Sequence, residues 1–251
     1  MPYFFGVREG DGVRIEGADA RHLARSLRAR PGDRISVVQP EGRLLTVRLA
    51  AVGPDLVRGV VEADVEHRPE PERHVTLAVA RLPAPALDLV LSRCTEAGAA
   101  AFVVVAADRS VARGGRPERW AAICREAAML AGRLHVPEVR GPVPFAEAWR
   151  EAAEPILLDR SGPPLSAVDD AATLFVGPEG GWSPRELELA GERRRRLGAL
   201  NLRADTAALV GLTLALACPP SPRAAGGGRR GVRSARPPTA PPPAPRGEDH
   251  F

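Results

Sequence analysis

The chain has 251 residues, 44% of them apolar, enough to bury one large core or two modest ones. No apolar run approaches the ~20 residues of a membrane helix, and "MPYFFGVREGDG" lacks the basic-then-apolar pattern of a secretion signal, so a soluble, cytoplasmic protein is expected. Three scattered cysteines (Cys94, Cys124, Cys218) offer neither a disulfide framework nor a metal-ligand spacing, and the net charge of +4 arises wholly from residues 219–251, leaving the body neutral.

Residues 1–70 read as a small β-rich domain. "VRIEG", "RISVVQP", "LLTVRLAAVG" and "LVRGVVEADV" are short β-branched runs separated by Gly, Pro and Asp. "DARHLARSLRAR" is the one helical insertion, with Asp19 as its expected cap and Pro31-Gly32 as its stop. "HRPEPERH", from His67 to His74, is polar, carries two prolines and reads as a linker.

Residues 74–218 alternate strands and helices. "VTLAVARL", "AAFVVVAA", "EPILLDR" and "ATLFVG" are apolar enough for strands covered on both faces. "ALDLVLSRCTEAG" has helical spacing of Leu87, Val90, Leu91 and Cys94, and Gly98 ends it. "PERWAAICREAAMLAGRL" begins a helix at Pro117, "SPRELELAGERRRRLG" is another, and "DTAALVGLTLALA" is apolar nearly all round. The alternation predicts an α/β domain, a mostly parallel sheet with helices on both faces. From Pro219 the composition turns to Pro, Gly and Arg with almost nothing to bury, and a disordered tail over 219–251 is expected.

Two loops carry the chemistry. "LFVGPEGGWSPRELELA" takes a buried strand to Val176 and restarts at Ser183-Pro184-Arg185-Glu186, a complete helix-start signal. Gly177 to Trp182 is therefore a loop at the carboxyl end of a parallel strand, where open α/β sheets bind ligands. Gly180 and Gly181 permit close backbone approach. The dinucleotide G-x-G-x-x-G is missing, and so is the phosphate loop, because the chain has no lysine at all. "LGALNLRADTAA", one helix later, gives a second loop on the same edge, with Asp205 as the expected cap of the last helix.

Together these two stretches resemble the signature motifs of the RsmE family, S-adenosylmethionine-dependent methyltransferases of the SPOUT class. The family modifies N3 of a uridine, position 1498, in 16S ribosomal RNA. "RHLARSLRARPGD", "SRCTEAGA", "ADRSVA" and "VPEV" also fall in the family's order, so the resemblance spans roughly residues 3–217. It implies an N-terminal PUA-like β-barrel domain, a trefoil-knotted sheet, a homodimer, and 16S rRNA of the 30S subunit as partner. Carried over by motif, Gly177, Pro178, Glu179, Gly180 and Gly181 would line the cofactor site, with Leu197, Gly198, Leu202 and Arg203 opposite. Leu157 and Leu158 would form its first wall.

The chemistry so implied is mainly placement. Uridine N3 must lose its proton before it can take a methyl group. Arg203 would stabilise the developing charge, and Glu96 or Glu179 would act as base or orienter. RNA contacts would fall to Arg21, His22, Arg25 and Arg28 on the N-terminal helix, and to Arg109, Arg133 and Arg140 in the second domain. The Arg193–Arg196 run reads as a helix end whose charge suits the macrodipole. Met129 and Leu130 stand where the family carries Glu-Gln. That departure motivates two alternatives: another rRNA or tRNA nucleotide as substrate, or an inactive RNA-binding relative.

Overall fold

The computed structural model describes residues 2–219; beyond Pro219 the expected tail lies outside the described residues. Two six-stranded sheets organise the chain. The first contains β1 (Tyr3–Phe5), β2 (Val7–Glu9), β3 (Gly12–Glu16), β4 (Arg34–Gln39), β5 (Arg43–Val52) and β6 (Leu56–Glu66), in the order β1-β4-β5-β6-β3-β2. Its two outer strands, β1 and β2, are consecutive in the chain and separated only by Gly6. The curled sheet is thus closed on itself by a covalent link, which removes its open edges. A Cβ on Gly6 would come within 2.9 Å of Val13 and 3.0 Å of Ile15, so the closure has room only for glycine. Phe4, Ile15, Leu23, Val37, Leu45 and Val57 fill the interior.

The expected helix over 19–30 is shorter and begins earlier. α1 (Gly17–Arg21) passes into a π-helical turn, His22–Ser26, and Arg28 then adopts a φ of 52°. Asp19 is not its cap. It is 2% exposed and accepts from the Phe5 N–H at 3.2 Å and from Arg125 Nε and Nη2 at 3.1 and 2.6 Å. A buried carboxylate needs such a partner, and it comes from the other half of the chain.

The second sheet contains β7 (His74–Ala80), β8 (Ala101–Ala106), β9 (Glu138–Pro144), β10 (Pro155–Leu158), β11 (Ala171–Val176) and β12 (Arg194–Arg195), in the order β12-β10-β11-β7-β8-β9. Every pairing in it is parallel. α2 (Ala84–Glu96), α3 (Pro117–Ala131) and α6 (Ala204–Ala217) contribute to one packed core, and α4 (Phe145–Glu151) and α5 (Pro184–Ala190) to a second. Side-chain alternation divides the strands between them: Val75, Leu77 and Val79 join the first core, Ala78 and Ala80 the second.

Two expectations fail here. The helix after Ser183 stops at Ala190, and Arg194–Arg195 form an edge strand beside β10, so the arginine run is no helix end. Asp205 is not the cap of α6; Arg203 occupies that position without a side-chain cap, and Asp205 lies in the first turn. Both readings followed local pattern; pairing with β10 overrode it at the arginine run, and α6 begins at Ala204, earlier than the pattern suggested.

The connection 159–170 crosses this edge strand at close range. Leu165 N–H donates to the Arg196 carbonyl at 3.0 Å, and Arg196 N–H to the Pro163 carbonyl at 2.9 Å. A Cβ on Gly162 would lie 2.6 Å from the Arg194 carbonyl group.

The two halves are bolted together. Besides Asp19–Arg125, Met129 is 8% exposed and packs into the N-terminal core, which accounts for an apolar side chain where the family has a polar one. Leu130, next to it, is exposed. The stretch 67–74 is not a solvated linker. Glu70 pairs with Arg133 at 2.6 Å, His67 Nε2 donates to the Gly132 carbonyl at 2.7 Å, and Arg73 Nη1 donates to the carbonyls of Ala215 and Leu216 at the end of α6. Burial pushes the Glu70 carboxyl up, but the Arg133 guanidinium outweighs it and holds the group below the usual carboxylate range.

Candidate active site

The glycine loop is fixed from both sides. Ser183 accepts from Glu186 N–H and donates its own N–H to Glu186 Oε2 at 2.8 Å, the capping box that the sequence spelled out. Glu186 is only 2% exposed, because its other oxygen accepts the Asp108 N–H at 2.9 Å. Ser183 Oγ donates to Asp108 Oδ2 at 2.5 Å, and Arg109 Nη1 donates to the Gly180 carbonyl at 3.1 Å. The loop after β8 thus braces the loop after β11.

Trp182 joins the third strand end. Its indole Nε1–H donates to the Leu158 carbonyl at 3.0 Å, and its ring packs beside Gly177, where a Cβ would come within 3.0 Å of it. Phe145 packs against the same ring, and Trp149 and Phe175 pack in turn against Phe145 and each other. Gly181 turns the loop with a φ of 69°, its N–H donating to the Pro178 carbonyl at 2.9 Å.

Between this loop and Leu197–Arg203 lies a cleft of about 360 Å³ at the carboxyl ends of β10 and β11. Gly177, Pro178, Glu179 and Gly181 form one wall, and Leu197, Gly198, Leu202 and Arg203 form the other, with Leu158 between them. Asp159, Arg160, Arg195 and Arg196 add charge, and Ala204 and Ala207 bring the start of α6 to the cleft. α6 can lie this close because Gly211 faces Leu158; a Cβ there would be 2.9 Å from the leucine.

Several expected site residues lie elsewhere. Leu157 is fully buried in the opposite core, since neighbouring strand residues face opposite ways. Gly180 is absent from the cleft lining and offers its carbonyl to Arg109. Glu96 ends α2, whose start follows the carboxyl end of β7, so it sits toward the opposite edge of the sheet; it accepts from Ser92 Oγ at 3.2 Å and pairs with Arg93. Arg133 is 4% exposed, held by Glu70 and the Thr95 and Ala99 carbonyls, and is a structural cation with no surface to offer RNA. Arg21, His22, Arg25, Arg28 and Arg109 are exposed. Arg140 is exposed and paired with Glu151 at 2.9 Å. Arg203 keeps 77% of its side chain exposed and approaches Asp205 at 3.4 Å. Trp182 and Glu186, which hold the loop, were not named from sequence as site residues. Burial pushes the Cys94 thiol up to about 12, leaving it neutral and unreactive.

The cleft suits S-adenosylmethionine. Side-chain-free loop backbone, leucines for an adenine face, and the carboxylates Asp159 and Glu179 for hydroxyl or cationic groups match the parts of that molecule. Residues 68–216 match the family described as RNA methyltransferase domain, and 15–62 the RNA methyltransferase PUA domain. The chain is 33% identical to the ribosomal RNA small subunit methyltransferase E of Mycobacterium bovis, over 79% of this chain and 83% of that one. It is 30% identical to the protein of the same name from Synechocystis, over 80% and 71%. Among solved structures, it resembles the Neisseria gonorrhoeae ribosomal RNA small subunit methyltransferase E bound to S-adenosyl methionine, with a TM-score of 0.75, 26% identity, and coverage of 84% of this chain and 95% of that one.

Proposed function

The chain belongs to the ribosomal RNA small subunit methyltransferase E family, and from that premise we propose that the cleft between its two C-terminal loops methylates N3 of a uridine in 16S rRNA. The chain is an S-adenosylmethionine-dependent rRNA methyltransferase. The observation that carries the site assignment is the meeting of both motif loops on one cleft at the strand ends, braced by Trp182 and Glu186.

Bound S-adenosylmethionine supplies an electrophilic methyl group on a sulfonium. The chain's residues hold and orient. Backbone groups of Gly177, Pro178, Glu179, Gly181, Leu197, Gly198 and Leu202 would hold the cofactor. Glu179, exposed on the cleft wall, takes the N3 proton, and Arg203, at the opposite wall, steadies negative charge at the base or the backbone. Arg21, His22, Arg25, Arg28 and Arg109 meet RNA phosphates of the 30S subunit. A homodimer covers the partly exposed stripe Thr206, Val210, Thr213 and Ala217 of α6. The crossing of 159–170 over β12 supports a trefoil knot at this point. Among the described residues no helix is long and apolar enough to cross a membrane. Action on rRNA calls for a place in the cytoplasm.

Calorimetric titration tests the cofactor assignment. The folded protein takes up one S-adenosylmethionine per chain; a folded protein that gives no binding heat and no thermal shift contradicts it.

A further inference from the structure

We propose that Arg160 pairs with the α-carboxylate in the methionine part of S-adenosylmethionine and makes the cleft selective for a cofactor that carries that group. The inference rests on the assignment of this cleft to the cofactor.

The ligand sets the requirement. S-adenosylmethionine brings two positive groups, the sulfonium and the α-ammonium, and one negative group, the α-carboxylate. A carboxylate drawn into a partly closed cleft needs a cation or several N–H donors. Four arginines line the cleft, Arg160, Arg195, Arg196 and Arg203, against two carboxylates, Asp159 and Glu179. A lining so rich in cations suits this ligand at one point only, its carboxylate.

Three of the four arginines already have acceptors within the fold. Arg195 Nη1 donates to the Glu192 and Arg194 carbonyls at 2.8 and 2.7 Å, and Arg196 Nη1 to the Gly162 carbonyl at 3.3 Å. Arg203 faces Asp205 at 3.4 Å. Arg160 is exposed on the cleft wall, and its side chain has no acceptor among the described residues.

The backbone that carries Arg160 is fixed before any ligand arrives. Arg160 stands in the turn 159–162, directly after β10, closed by the Gly162 N–H donating to the Asp159 carbonyl at 3.2 Å. Asp159 Oδ1 accepts from the Ser161 N–H at 2.9 Å, and the Asp159 N–H donates to the Arg195 carbonyl at 2.8 Å. Gly162 lies against Arg194 with no room for a Cβ. The sheet order β12-β10-β11 puts this turn on the edge side of the cleft, beside Arg195 and Arg196. The amino-acid end of the cofactor belongs at this charged edge, and the adenine against the leucines.

An exposed ion pair between two free side chains gains little, because both must be ordered. Here the turn is already rigid, and the carboxylate is tethered to a nucleoside held by the two loops, so less ordering remains. A guanidinium also meets a carboxylate with two parallel N–H donors.

The test titrates the full chain, wild type and Arg160→Ala, with S-adenosylmethionine and with its decarboxylated analogue, which keeps the sulfonium and the ammonium. Wild type is expected to bind the analogue about 10-fold more weakly, the worth of a charge-assisted hydrogen bond. Arg160→Ala loses that preference and binds the two alike, at an unchanged Tm. Arg160→Lys recovers part of it. A preference that survives in Arg160→Ala overturns the proposal, since another group then holds the carboxylate. So does a loss that is equal for both ligands, or intact cofactor binding with weaker binding to 30S subunits, the mark of a phosphate contact. A wild type that binds both ligands alike overturns this proposal alone, whereas one that binds neither contradicts the cofactor assignment of the cleft.

Discussion

Trp182→Ala is expected to cost about 3–5 kcal/mol of stability and to abolish cofactor binding in whatever fraction still folds. The indole is 4% exposed and lies within an aromatic group with Phe145, Trp149 and Phe175, so its removal leaves a cavity that the three remaining rings cannot close. It also links two walls of the cleft, through its hydrogen bond to Leu158 and its contact with Gly177. Trp182→Phe separates the two contributions. Most of the packing returns, while the Leu158 carbonyl loses its donor, a loss of about 1–3 kcal/mol where that carbonyl stays dry. Urea unfolding and cofactor titration read both quantities. If Trp182→Ala binds S-adenosylmethionine as wild type does, the indole is no clamp on the cleft.

Gly162→Ala is expected to be nearly as damaging, about 2–3 kcal/mol, although it adds a single methyl group. The added Cβ would sit 2.6 Å from Arg194 C and O and 2.7 Å from Arg195 N. These are backbone atoms of β12, which cannot rotate aside as a side-chain tip does. Relief requires the crossing at 159–170 to lift from the edge strand, breaking the Leu165–Arg196 and Arg196–Pro163 hydrogen bonds. The second cleft loop begins at Leu197, so the displacement passes straight to the cofactor wall. The expected readout is a fall in Tm together with weaker cofactor binding. A variant with wild-type Tm would mean that the crossing is looser than its geometry implies.

What could be read from the sequence was what depends on near neighbours. The Ser183–Glu186 capping box spans three residues, and it appeared as expected because its partners are fixed by helix geometry. The glycine loop was legible through the strand and helix signals that bound it, and the Leu197–Arg203 loop through the helix that follows it. Asp19 was misread because its partner Arg125 is 106 residues away. Arg133 looked like a surface cation because burial is a tertiary property; only the fold brings Glu70 against it. Arg193–Arg196 looked helical because four arginines carry no strand signal, and the pairing with β10 overrides propensity. Leu157 and Leu158 are adjacent and alike, yet strand alternation sends one into a core and the other to the cleft.

The most direct measurement is nucleotide-level mapping of the methyl group after the purified protein acts on 30S subunits from a strain lacking the modification. The expected result is a single N3-methyluridine in 16S rRNA, formed only with S-adenosylmethionine and lost in Trp182→Ala. A methyl group on another nucleotide, or none from a protein that binds the cofactor, would contradict the assignment of this cleft to uridine N3.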